Sequence, residues 1–319
     1  MYSSKFAVDM QNMLTTLHNS GLQIGYINYF LSGFDRFCVN AYPNADVLTA
    51  DIAETWIRDT DSQSKAHMSR RVRTMKHLGI YQQSLGKPSY VPNYALHYGK
   101  SEEPNLFSDE QLAEFFEIVD TQITPTKTFP HNDIIFPVML RLNYCCGLRS
   151  SESCNLKMED VDLTKGTLSI YNSKGFKDRM IFMSDDVCDL CIRFNEFYSK
   201  VIPGRTHFFQ PSKVRSNYIS GDVTKVFDIM LKKTSFCNSP GKKRTPHGLR
   251  HLFAVQNIKK CAEQGENFGN WMQYLCRHMG HKHIKYTMYY LHITSQLFPI
   301  YSDKLRQLEE GIGVVYAEE

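Results

Sequence analysis

A chain of 319 residues carries 42% hydrophobic and 22% charged residues, with a formal net charge of +4. That length holds two ordinary domains, and the composition is that of a soluble globular protein. So small a net charge excludes bulk charge as a source of nucleic-acid affinity, so any such affinity needs positive residues gathered on one surface.

To about Gly86 the pattern is helical. Ile24, Ile27, Phe30, Leu31 and Phe34 recur at helical spacing, and Ile52, Trp56 and Ile57 mark a short helix after Thr49. A longer helix is expected from about Ser64, carrying the basic cluster Arg70, Arg71, Arg73 and Lys76. From Lys87 to Asn105 the periodicity gives way to Pro, Ser, Tyr, Asn and Gly, as in an interdomain linker. Ser108 with Gln111 then forms a capping box, and Phe107 with Leu112 a hydrophobic staple, ahead of the stripe Leu112, Phe115, Phe116 and Val119. A second domain begins there.

Within it, Ile134, Ile135, Val138, Met139 and Leu142 predict a buried helix that stops near Gly147. Thr167 to Ile170 and Met180 to Met183 predict two strands flanking the turn Ser173-Lys174-Gly175. Ser184 opens another helix, with Val187, Leu190, Cys191, Phe194 and Phe197 on one face. Further helices are expected from Asp222 to Lys232, from Pro246 after Thr245, and from Trp271 to Met279, the last ending at Gly280. The nine cysteines form no regular framework, which predicts reduced thiols in the cytoplasm. No targeting segment or membrane-length apolar run is present, so no membrane partner is expected.

Four places carry groups suited to chemistry: Gly147-Leu148-Arg149-Ser150-Ser151-Glu152, the turn at Lys174, His247-Gly248-Leu249-Arg250, and Met279-Gly280-His281 followed nine residues later by Tyr290. His247 and Arg250, three apart, share a helix face. In that order and at those spacings the four boxes resemble the tyrosine recombinase (phage integrase) family over about Leu106 to Tyr290. The lysine turn reads Ser173-Lys174-Gly175-Phe176-Lys177-Asp178-Arg179, and the histidine box continues through His251-Leu252-Phe253-Ala254. Met279 stands where leucine is usual in the family, and no chemical group is missing.

The resemblance implies a DNA recombinase that cleaves and rejoins through a 3′-phosphotyrosine and a Holliday junction, with integration or excision of a mobile element as the preferred role. It implies Tyr290 as nucleophile, Arg149 and Arg250 on the phosphate, and His247 as proton acceptor or positioning group. Lys174 would protonate the leaving 5′ oxygen, His281 would hydrogen-bond the phosphate, and Glu152 would orient the site. These residue types suit phosphodiester cleavage, since guanidinium binds phosphate bidentately and stays charged, whereas a phenol of pKa about 10 needs activation. No cofactor and no metal is expected. Cys188-x-x-Cys191 has ligand spacing, but Cys191 lies on an apolar stripe and no second ligand pair sits at finger spacing.

The expected fold is mainly α with a small β-sheet, as a two-domain clamp around duplex DNA. Residues 1–90 would form a helical core-binding domain, 91–106 a linker, 107–300 a mixed α/β catalytic domain, and 301–319 a C-terminal helix for contacts between protomers. Pro299 would break the chain before Ser302, and Leu305 and Leu308 would dock on a neighbour. Partners implied are double-stranded DNA and a homo-tetramer with two protomers per site, with accessory recombinases or directionality factors compatible. Lys242, Lys243 and Arg244, beside the His247 helix, and Arg70, Arg71, Arg73 and Lys76 are the expected phosphate contacts. Two other readings remain: a non-cleaving DNA-binding accessory protein of the same fold, and a type IB topoisomerase-like enzyme.

Overall fold

The computed structural model describes residues 2–22, 24–59, 65–94, 104–171, 178–241, 243–264 and 268–290. The chain divides into two compact units, Met1–Ser101 and Glu102–Glu319, each with its own apolar core.

Among the described residues the first unit has four helices: α1 (Ala7–Asn19), α2 (Gly25–Ala41), α3 (Ala50–Arg58) and α4 (Lys65–Ser84). Helix α2 buries Ile27, Phe30, Leu31 and Phe34 because residues three and four apart share a helix face. The Thr49 hydroxyl caps α3 by accepting the Ile52 amide at 3.3 Å, and Trp56 then packs edge-on against Phe34. A polar seam crosses the unit: the Asp9 carboxylate accepts from Gln82 at 2.6 Å and from Lys87 at 2.8 Å.

Helix α4 explains how its basic cluster is split. Successive residues turn by about 100° around a helix, so Arg70, Arg73 and Lys76 lie on one exposed stripe while Arg71 points elsewhere. Its guanidinium sits 4.6 Å over the Trp56 ring and donates to the Trp56 and Asp59 carbonyls, tying α4 to the end of α3.

The second unit opens with the expected capping box of Ser108 and Gln111 at α5 (Asp109–Gln122), followed by α6 (Asn132–Cys145) and the short α7 (Ser150–Cys154). Strands β1 (Val161–Asp162), β2 (Thr167–Ile170) and β3 (Arg179–Phe182) form one antiparallel sheet in chain order. Its register pairs Leu168 with Ile181, both fully buried, and Ile170 with Arg179. Alternation along β3 leaves Met180 and Phe182 exposed.

Helices α8 (Asp185–Val201), α9 (Ser220–Leu231), α10 (Pro246–Gln264) and α11 (Phe268–Met279) follow in the same unit. Helix α8 departs from the predicted stripe: Phe197 is exposed, and its neighbour Tyr198 is buried, its hydroxyl donating to the Gln210 carbonyl at 2.7 Å. At the α6–α7 turn, Gly147 has φ +61°, and a Cβ there would meet the Phe253 ring at 2.6 Å, so the turn admits only glycine.

Among the described residues no helix is long and apolar enough to cross a membrane, the cysteines form no disulfide, and no group of three or more His, Cys, Asp or Glu is placed to hold a metal.

Candidate active site

The boxes separated in sequence meet at the C-terminal end of α11. Helix ends leave their last carbonyls without intrahelical partners, and here three successive ones each meet a different arginine. Arg179 Nε donates to the His278 carbonyl at 2.6 Å, Arg250 Nη2 to that of Met279, and Arg149 Nη2 to that of Gly280 at 3.4 Å. Positive charge at a helix C-terminus also complements the helix dipole. Arg250 Nη1 donates in addition to the Gly147 carbonyl, fastening the α6–α7 turn to α10.

Three guanidiniums in one place repel, and Glu152 holds them. Its Oε1 accepts from Arg149 Nη1 at 2.7 Å and from Arg179 Nη1 at 2.9 Å. Its Oε2 accepts from the Arg149 amide at 2.9 Å and from Arg179 Nη2 at 2.7 Å, with Arg250 Nη1 3.8 Å away. The bond to the Arg149 amide is half of a capping box, and it is the reason that Glu152 follows Arg149 by three. Burial pushes the Glu152 carboxyl up, but the hydrogen bonds and charge of Arg179, then those of Arg149, outweigh it and hold the group at about 2. The cluster keeps an excess of positive charge beside α10, as an anion site requires.

Accessibility differs among the three. The Arg149 side chain is 19% exposed, that of Arg179 6% and that of Arg250 1%. Burial and then the charge of Arg149 pull Arg250 downward, yet a guanidinium remains a cation at neutral pH.

Gly280 ends α11 with φ +60° in a Schellman turn: its amide donates to the Arg277 carbonyl at 2.9 Å and the His281 amide to that of Cys276 at 3.1 Å. That turn fixes His281 directly beside the arginines. Its Nδ1 lies 2.8 Å from the hydroxyl of Thr287, which is fully buried. Burial, then repulsion from Arg250, Arg149 and Arg179, pulls the imidazole down to about 4, so the ring is neutral at pH 7.

Residues 285–290 are helical and carry three tyrosines, of which Tyr286 and Tyr289 are exposed and Tyr290 is 3% exposed. The Tyr290 ring lies parallel to His281 at 6.1 Å, and its hydroxyl is 2.9 Å from His251 Nδ1. Burial pushes that hydroxyl up to about 12 against the opposing charges of Arg250 and Arg149, which places both guanidiniums within electrostatic reach of it. His247, one turn before His251, is exposed and packs edge-on against it with ring centres 4.4 Å apart.

Arg149, Glu152, His247, Arg250, His281 and Tyr290 are therefore brought to one site. Lys174 and Lys242 lie outside the described residues, as does the 301–319 segment with Leu305 and Leu308. Of the other basic residues, Lys243 is exposed and pairs with Asp228 at 2.6 Å. Arg244 is buried, stacks over Phe236 and Phe107, and donates to the capping-box Gln111 at 2.9 Å, a structural role. Arg179, His251 and Thr287 are members of the site to which the sequence alone assigned no role. Arg179 was visible only as the end of the lysine turn, and His251 as the fifth residue of the histidine box.

The phage integrase family profile matches residues 107–296. A tyrosine recombinase of Pseudothermotoga lettingae is 32% identical over 165 residues, half of this chain and half of its own length. XerA of Pyrococcus furiosus is 26% identical over 66% of this chain and 65% of its own length. XerC of Halalkalibacterium halodurans is 28% identical over 72% of each. The chain thus spans less than two thirds of the first two of these relatives. Among solved structures, the Tn1549 transposon integrase in complex with transposon right end DNA has a TM-score of 0.61 at 17% identity, covering 88% of this chain and 94% of that one. A lambda integrase dimer bound to a core site has a TM-score of 0.61 at 15% identity, covering 89% and 76%. At such identities the likeness is one of fold.

Proposed function

The chain belongs to the phage integrase family of tyrosine recombinases, and we propose that it is a site-specific recombinase that cuts and rejoins duplex DNA through a covalent link to Tyr290. The observation that carries this reading is the meeting of Arg149, Arg250, His281 and Tyr290 at the end of α11, with the two arginines on one carboxylate. The XerH post-cleavage complex with its DNA substrate and the Tn1549 complex are structures of similar fold with DNA bound.

Each residue then has a role. Arg149, the most exposed of the three arginines, forks onto the scissile phosphate, while Arg250 adds charge from beneath and holds the site's carbonyls. Together they supply the charge that a metal ion would otherwise provide for a phosphorane-like transition state. With the Thr287 hydroxyl donating to Nδ1, His281 carries its proton on Nε2 and offers it to a phosphate oxygen. His247, at the exposed rim, positions the phosphate. Lys174 gives a proton to the departing 5′ oxygen, and positive neighbours that lower a lysine's pKa favour that transfer. The phosphotyrosine conserves the bond energy, so a 5′-hydroxyl from a partner strand reseals the DNA without ATP. Exchange through a Holliday junction in a tetramer, in service of a mobile element, completes the proposal, as does action in the cytoplasm.

Recovery of protein-linked DNA under denaturing, metal-free conditions tests it, with wild type and Tyr290→Phe run side by side on source DNA. Adducts with wild type alone are expected. Tight DNA binding without any adduct would move the chain to the non-cleaving accessory class.

Arg70, Arg73 and Lys76 are proposed as the phosphate-contacting stripe of the first unit, joined by Lys243 in the second. Replacing any one of the stripe with alanine is expected to weaken binding similarly across sequences and to reduce the salt slope by about 1. Arg71→Ala should instead lower the first unit's stability. A titration of affinity against salt separates the two outcomes, and an unchanged slope for Arg73→Ala would remove it from the contact set.

A further inference from the structure

We propose that His251, through Nδ1, is the group that takes the proton of Tyr290 during cleavage and returns it during resealing. The inference rests on the recombinase reading of the same site and assigns a residue that the family boxes leave without a role.

Helix α10 carries three site residues in one turn and a little more. His247 and His251 are four apart and so lie on the same face, one turn in depth from each other. The outer ring, His247, is exposed. The inner ring, His251, is half-buried and reaches the hydroxyl of Tyr290 at 2.9 Å, a distance at which a phenol donates to an imidazole nitrogen. The rings lie 5.4 Å apart and tilted by 52°. A proton acceptor must be within hydrogen-bond reach of the proton it abstracts, and His251 Nδ1 meets that condition in the resting protomer.

The need for such a group is physical. Tyr290 is buried, which penalises its phenolate, and the nearby Arg250 and Arg149 charges offset that penalty only in part. The proton therefore has to move onto a base as the phosphorus is attacked. In cleavage the Tyr290 Oη–H bond breaks, its proton passes to His251 Nδ1, and Oη bonds to phosphorus. The P–O5′ bond breaks in the same step, and O5′ takes its proton from Lys174. In resealing the incoming 5′-hydroxyl gives its proton to Lys174 and attacks phosphorus. The Tyr290–phosphorus bond then breaks, and Oη recovers its proton from the His251 imidazolium. Atoms and charge balance in both directions.

The test compares His251→Asn, whose amide stands where Nδ1 was but is not a base at neutral pH, with His247→Asn and wild type. The readout is the rate of covalent adduct formation on a nicked substrate that cannot reseal. His251→Asn is expected to slow adduct formation by about 10²–10⁴-fold, the range of general-base contributions. Thermal midpoint and DNA affinity establish that the variant is folded and bound. The second arm places a fluorinated tyrosine of lowered hydroxyl pKa at position 290. Such a nucleophile needs less help, so it should restore most of the rate lost in His251→Asn and little of that lost in Arg149→Ala. Wild-type rates in His251→Asn, or no restoration by the acidified tyrosine, would overturn the assignment. Absence of adduct from wild type would instead overturn the recombinase reading itself.

Discussion

Arg149→Ala is expected to reduce the rate of covalent DNA capture by about 10²–10³-fold or more while leaving the protein folded. That range corresponds to removal of one preorganised donor to a developing anion. Arg149 is the most exposed member of the cluster, and its guanidinium bonds to Glu152 and Gly280, so its loss is expected to remove the proposed phosphate fork without emptying a fully buried site. Arg149→Lys should recover little, because an ammonium keeps the charge but not the planar fork. Arg250→Ala is a different experiment. At 1% exposure that side chain joins Gly147, Met279 and Glu152, so its loss should lower stability together with activity. Adduct rates alongside thermal melts distinguish the two. An Arg149→Ala protein that captures DNA at the wild-type rate would remove Arg149 from the phosphate.

The second large effect is expected from Glu152→Gln. Removing one partner of a buried charge cluster costs about 3–5 kcal/mol, because the partners that remain are left uncompensated. Here those partners are three guanidiniums. The pH dependence follows from the depressed carboxyl, at about 2 in the folded protein against an ordinary 4.5. A lowered carboxylate pKa contributes stability that is fully present above the unfolded value and is lost as pH falls through the folded one. The contribution, about 3 kcal/mol, should therefore be intact at pH 7 and decline between about pH 4.5 and 2. Urea unfolding of wild type and Glu152→Gln across that window should show two stabilities that converge as the acid limit is approached. A constant difference down to pH 2, or no difference at pH 7, would contradict the role of Glu152 as the hub.

Element boundaries were legible where local rules are strong. The capping box at Ser108, glycine at two helix ends, and proline at the start of α10 mark element boundaries without reference to anything distant. The apolar stripes of α2 and α6 follow from periodicity, and so do strands β2 and β3 to within a residue. What escaped depends on side-chain direction and long-range pairing. Arg70 and Arg71 are neighbours in sequence, yet one is exposed and the other packs on Trp56. Arg244 reads as part of a basic run but serves the cap of α5. Arg179 opens a strand, and nothing local reveals that it will find a carboxylate 27 residues earlier and a carbonyl 99 residues later. His251 required knowing how far Tyr290 returns toward α10, 39 residues on. Phe197 and Tyr198 were exchanged because an aromatic at either position satisfies a loose helical stripe.

Whether Tyr290 forms the bond to DNA is decided by locating that bond. Covalent complexes would be digested with protease and nuclease, and the peptide bearing a nucleotide sequenced by mass spectrometry. A nucleotide joined through its 3′ phosphate to Tyr290 is expected, with a free 5′-hydroxyl on the released strand. A nucleotide on Tyr289, Tyr286 or any other side chain, or one joined through its 5′ phosphate, would contradict it.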